Sequence, residues 1–88
     1  MNTAFILRDS IYSFKKADVE VFINVCESLD INMIELNDKL NRQDLRALVH
    51  LMYFSLTDKK SLDIEDMYKL CLQELELMLE LYTEVNTQ

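Results

Sequence analysis

Cys26, Cys71 and His50 are the residues whose chemistry could reach beyond packing. A structural zinc site wants four ligands at short paired spacings, which two cysteines and one histidine scattered along the chain do not supply. His50 stands in an apolar stretch with no nucleophile or paired carboxylate near it in sequence, so a structural role is expected. Both cysteines fall at apolar positions of a helical pattern. One disulfide between them is the alternative, but a chain without a secretion signal is expected, and with it reduced and mostly buried thiols. The chain contains no glycine. Phosphate-cradling loops and dinucleotide fingerprints need glycine for close backbone approach, so these nucleotide-handling motifs are excluded. A non-enzymatic protein with no cofactor and no metal is the expectation.

The remaining candidates for function are leucines and carboxylates, and they concentrate at one end. Residues 62–88 hold seven acidic side chains against Lys69 alone, out of sixteen acidic and nine basic residues in the whole chain. Most of the net charge of −7 therefore sits in the last stretch. Such a run either solvates a helix face or steers a basic partner inward. Direct nucleic-acid binding is not expected, because phosphate contacts need clustered Lys and Arg and the only basic pairs are Lys15-Lys16 and Lys59-Lys60. A membrane span needs about 20 consecutive apolar residues. No such run exists, and a cytoplasmic protein is expected.

Helices must position these groups. With neither glycine nor proline, the chain has no Asn-Gly or Asp-Gly hairpin turn, and an all-α bundle of four or five helices is expected as a single domain over residues 1–88. Residues 3–14 fit both a helix and a short hairpin turned at Asp9-Ser10. Asp-Ser is a poor hairpin turn, so helix is the preferred form there. Asp18 caps a helix running to about Leu29, with Val19, Phe22, Ile23 and Cys26 on its buried face. A shorter helix over about 32–40 turns Met33, Leu36 and Leu40 inward. Asn41 reads as the next N-cap, for a helix to about Leu56 that is apolar nearly all round. That pattern predicts the centre of the bundle.

Thr57 to Leu62 is a loop, and Asp63 caps the last and longest helix, predicted as continuous from Ile64 to about Val85. Ile64, Tyr68, Cys71, Leu75, Met78, Tyr82 and Val85 alternate by four and three residues, a heptad seam. Leu70, Leu77 and Leu81 lie about 120–160° from Leu75, outside that seam. They are either further core or a docking row, flanked by Glu74, Glu80 and Glu84, for a helical or basic protein partner or for a second copy.

From Leu40 to Leu79 the chain resembles a known family. Asp44-Leu45-Arg46-Ala47-Leu48, then Tyr53 and Leu56, a polar break, and Leu62-Asp63-Ile64-Glu65-Asp66 opening another helix are similar to the tail assembly chaperones of long-tailed bacteriophages. Tyr12 and Phe14 echo a Tyr-x-Phe near the start of some members. The resemblance implies a small, mainly helical protein without enzymatic activity. Such a chaperone binds the phage tape measure protein, keeps it soluble, and helps tail tube subunits assemble around it. No functional residue carries over by position. The competing expectation is a small acidic inhibitor from a phage or mobile element, of the anti-CRISPR or anti-sigma type, covering a basic nucleic-acid-binding surface of a host protein. A third is a plain helical homodimer. An inhibitor should depend on its carboxylates and weaken in salt, and a chaperone should depend on its leucines.

Overall fold

Four short polar side chains start four of the helices by accepting a backbone N–H that the first helical turn leaves unpaired. The computed structural model describes residues 4–87. Asp18 accepts from Val21 (2.9 Å) and opens α1, Val19–Leu29. Asn32 accepts from Glu35 (2.8 Å) and opens α2, Met33–Asn41. Asp44 accepts from Ala47 (3.1 Å) and opens α3, Leu45–Phe54. Asn41 therefore closes α2 rather than capping α3, because Asp44, three residues on, holds the donor first. Asp63 and Asp66 form a reciprocal capping box at α4, Ile64–Tyr68.

The fold is mainly helical but not all-α. Phe5–Leu7 (β1) and Ser10–Tyr12 (β2) pair antiparallel, with Ile6 opposite Ile11. Hairpin thus replaces the expected helix, and its turn is Arg8-Asp9 rather than Asp9-Ser10. Both turn residues have positive φ, 49° and 65°, the backbone that a two-residue type I′ turn requires. Tertiary contacts outweigh that poor turn chemistry. Arg8 reaches Asp66 at 2.7 Å, while Phe5, Leu7, Tyr12 and Phe14 are all buried. Beyond β2, Phe14 bridges to Leu56, and the Lys15 N–H donates to the Ser55 carbonyl, which sews the hairpin to the end of α3.

The final helix is also interrupted. α4 ends at Tyr68, and α5, Leu72–Asn86, begins only after a joint at Lys69–Cys71. There the Glu74 carboxylate reaches back to accept the Cys71 N–H (3.1 Å), so Cys71 is a helix start and not a seam position. The heptad seam survives only below the joint, where Met78 and Val85 are buried and Leu75 and Tyr82 half-buried. Cys71 is exposed and Cys26 half-buried, against the expectation that both thiols are buried. Native labelling with a thiol reagent is therefore expected to modify Cys71 fast and Cys26 more slowly, with the difference vanishing in denaturant. Equal protection of both thiols would mean that the joint is closed.

α3 touches α1, α2, α4 and α5, the central place its all-round apolarity predicts. It divides the interior into two clusters. The hairpin, Val49, Met52, Leu56, Met67 and Met78 pack on one side of it. Val21, Val25, Leu36, Ala47 and Leu51 pack on the other. Tyr82 contacts both clusters and meets Phe14 edge-on at 5.5 Å.

Candidate functional site

The outer face of α5 keeps part of the expected docking row. Leu77 is 52% exposed, and Glu80 is exposed beside it. Glu84, one heptad from Leu77, is half-buried on the same side. Leu81 does not belong to that face, since it turns inward against the first core cluster. Leu70 lies in the joint before α5 and also packs on the core. Glu74 is engaged at the start of the helix, where the Cys71 N–H holds its carboxyl below the usual carboxylate range. The row therefore reduces to Leu77, Glu80 and Glu84. Two residues join it, the exposed Glu76 and Leu72, the latter 65% exposed at the top of the helix. At about 100° per residue these five cover roughly 140° of the helix surface. No Lys or Arg occurs anywhere in Leu72–Asn86.

Interrupting the helix also creates a groove. Turning Leu70 inward and Leu72 outward opens a cleft of about 590 Å³ between α3, α4 and α5. Leu45, Val49, Tyr68, Leu70 and Leu72 line it, and its one charged lining residue is Arg46. A second depression, about 340 Å³, lies between α1 and the start of α2. Val19, Phe22, Ile23, Cys26 and Met33 line it, with Glu27 the one charge. These residues were expected to be the buried face of α1 and α2. Phe22 and Cys26 do pack half-buried against the core, but the residues α1 fully buries against α3 are Val21 and Val25, and Val19 is left 73% and Ile23 50% exposed. The signal was present in the sequence. Val19, Val21, Phe22, Ile23, Val25, Cys26 and Leu29 together make an apolar arc wider than one neighbour can cover.

His50 is buried between these surfaces, only 2% exposed. Its Nδ1 meets Ser28 Oγ at 3.0 Å and its Nε2 meets Tyr68 Oη, which ties α1, α3 and α4 together. A neutral imidazole has one N–H and one acceptor, and two hydroxyls satisfy both. Desolvation, and secondarily the Arg46 charge, push the His50 pKa below the usual 6.5. The unfolded chain therefore binds the proton more readily than the folded one. The stability contributed by neutral His50 is full above 6.5 and is lost as pH falls through the lower folded-state value. The melting temperature is expected to drop between about pH 7.5 and 5.5, and His50→Gln should flatten that drop. An unchanged slope in the variant would assign the pH dependence to other groups.

Among the described residues, no three His, Cys, Asp or Glu side chains gather as metal ligands, and no helix is long and apolar enough to cross a membrane. Compared with known protein families, curated proteins and solved structures, the chain matches none.

Proposed function

We propose that the chain is a non-enzymatic protein-binding module that holds a basic, amphipathic helix of another protein against the outer face of α5. One observation carries this reading: a fifteen-residue helix without a single basic residue exposes Leu72 and Leu77 among Glu76, Glu80 and Glu84. Exposed leucines supply area to bury, and the carboxylates select a cationic flank and orient the approach. In the specific form implied by the resemblance in residues 40–79, the partner is the tape measure protein of a long-tailed phage, and the chain acts as a tail assembly chaperone in the host cytoplasm. The acidic inhibitor is the second reading, favoured by the same carboxylates.

An amphipathic leucine–lysine helical peptide, titrated calorimetrically beside its leucine–glutamate counterpart, tests the module. The first should bind and the second should not. Leu77→Ala is expected to weaken binding roughly tenfold, equivalent to about 1.4 kcal/mol. Equal binding of both peptides, or no response to Leu72→Ala and Leu77→Ala, would remove α5 as the site. Co-expression with a tape measure protein then separates the two readings. A chaperone should keep that protein soluble through its leucines even in high salt. An inhibitor should not solubilise it, and its binding should collapse in Glu76→Gln/Glu80→Gln/Glu84→Gln and in salt.

A further inference from the structure

The depression between α1 and the start of α2 belongs to the second core cluster, across α3 from the hairpin, and it shares no residue with the outer face of α5. Phe22 and Cys26 form its floor, half-buried against that cluster. Val19 and Ile23, one helical turn apart, make one bank, and Met33 stands on the other, all three exposed. Ile34 follows Met33 with 82% of its surface open. Large apolar side chains gathered in the open mark an interaction surface. Charge says what covers it. Residues 17–38 carry Asp18, Glu20, Glu27, Asp30, Glu35 and Asp38 and no Lys, Arg or His. Asp18 and Asp38 are answered by Lys15 and Arg42, which lie outside that run. Glu20 and Glu27 are exposed, and neither side chain has a hydrogen bond or ion pair among the described residues. At about 100° per residue they project roughly 40–60° beyond Ile23, on the side of the helix away from Phe22 and Cys26. Unpaired carboxylates therefore edge the apolar surface along α1, and Glu27 is the one charge that lines the depression itself.

We propose that the α1–α2 depression is a second docking site for a basic amphipathic helix. The apolar face of that helix seats between Val19, Ile23 and Met33, while its Lys or Arg side chains meet Glu20 and Glu27. An apolar stripe laid into a groove, with its charged flanks answered at the edge, is helix-in-groove recognition. Nucleic acid and anionic lipid are repelled by the same carboxylates. A second copy of this chain is the poorer occupant, because its own leucine-bearing helix α5 has no basic residue to offer. The site stands beside the one on α5 and does not rest on it. With both in place, one chain holds two basic helical segments at once. A long basic helical protein then gains avidity from the pair without any new contact.

Cys26 supplies a local reading, since it lies on the floor of the depression. The full chain is labelled with a thiol reagent, with and without the leucine–lysine helical peptide, and mass spectrometry separates modification at Cys26 from that at Cys71. With the peptide at ten times its Kd about a tenth of the sites stay open, so Cys26 labelling should slow about tenfold. Ile23→Ser and Glu20→Lys/Glu27→Lys should each abolish that protection, and calorimetry should then count one peptide per chain in place of two. Leu77→Ala should leave the protection intact. Far-UV circular dichroism checks folding, and the charge variant, confined to exposed side chains, keeps the test open should Ile23→Ser unfold the chain. Unchanged Cys26 labelling at that peptide concentration overturns the proposal, even where Leu77→Ala shows that α5 binds. So does equal protection by the leucine–glutamate peptide. Protection lost in Leu77→Ala but kept in Ile23→Ser would trace it to α5 and also overturn the proposal. Slowing of Cys26 labelling with the chain's own concentration, without peptide, would put a second copy on this face and do the same.

Discussion

Leu36→Ala is expected to destabilise the chain by about 3–5 kcal/mol, near the top of the range for a buried leucine. Leu36 is the only buried residue of α2, and it is completely enclosed with Val21, Val25, Ala47 and Leu51. A nine-residue helix cannot hold itself together in water, so α2 persists through Leu36 as its main anchor, with half-buried Leu40 packed on the same cluster. Its exposed Ile34 and half-exposed Met33 offer no second anchor. A chain of this size has a total stability of roughly 4–13 kcal/mol, so the loss takes a large share of it. The melting temperature should fall by on the order of 20 °C. Leu77→Ala is the matched control, because its side chain is half in solvent and should cost less than about 0.5 kcal/mol. Equal effects of the two substitutions in urea titrations would mean that α2 does not dock through Leu36.

The helical skeleton was legible because its starts are chemical. Asp18 and Asp63 are cap residues directly before apolar periodicity, and both cap where expected. What periodicity did not specify was the part of a wide apolar arc that meets a neighbour. On α1 the spacing of Val19, Phe22, Ile23 and Cys26 is as regular as that of Val21, Val25 and Leu29. Only the position of α3 decides that Val21 and Val25 go fully inside, while Phe22, Cys26 and Leu29 pack half-buried beside them and Val19 and Ile23 stay exposed. The break at Lys69–Cys71 was hidden for a related reason. Cysteine is not a typical cap, and the seam runs through it without a fault. The interruption comes from Glu74 capturing the Cys71 N–H and from Leu70 turning inward, both tertiary facts. For the candidate site, Leu77, Glu80 and Glu84 were readable from helical geometry, because α5 remains helical there. Leu70 and Glu74 lie at a break that the same geometry did not foresee, whereas Leu81, inside α5, is half-buried because the first core cluster covers that side of the helix.

Replacing Asp30 and Gln43 by glycine is expected to stabilise the protein, by about 0.5–1 kcal/mol at each site and about 1–2 kcal/mol together. A chain without glycine must still end its helices, and it does so with ordinary residues in left-handed backbone. Asp30 terminates α1 at φ 55°, its N–H donating to the Cys26 and Glu27 carbonyls. Gln43 follows α2 at φ 58° and donates its N–H to the Leu40 carbonyl. In that region a Cβ crowds the backbone, and glycine removes the clash. Against this gain stands the greater freedom that glycine gives the unfolded chain, which is why the net effect is smaller than the full steric relief. At the helix ends these two positions are clean, because neither side chain makes a hydrogen bond or ion pair among the described residues. Arg8 and Lys60, also at positive φ, are different. Arg8 pairs with Asp66, and Lys60 donates to the Ile11 carbonyl at 2.6 Å, so glycine there would lose an interaction as it relieved the backbone. The ordering is testable in one series of urea titrations. Asp30→Gly and Gln43→Gly should raise the midpoint additively, since the sites share no partner, and Arg8→Gly should lower it. Should Asp30→Gly and Gln43→Gly both be destabilising, the helix ends are not in left-handed conformation in solution, and the α1–α2 and α2–α3 connections have been placed wrongly.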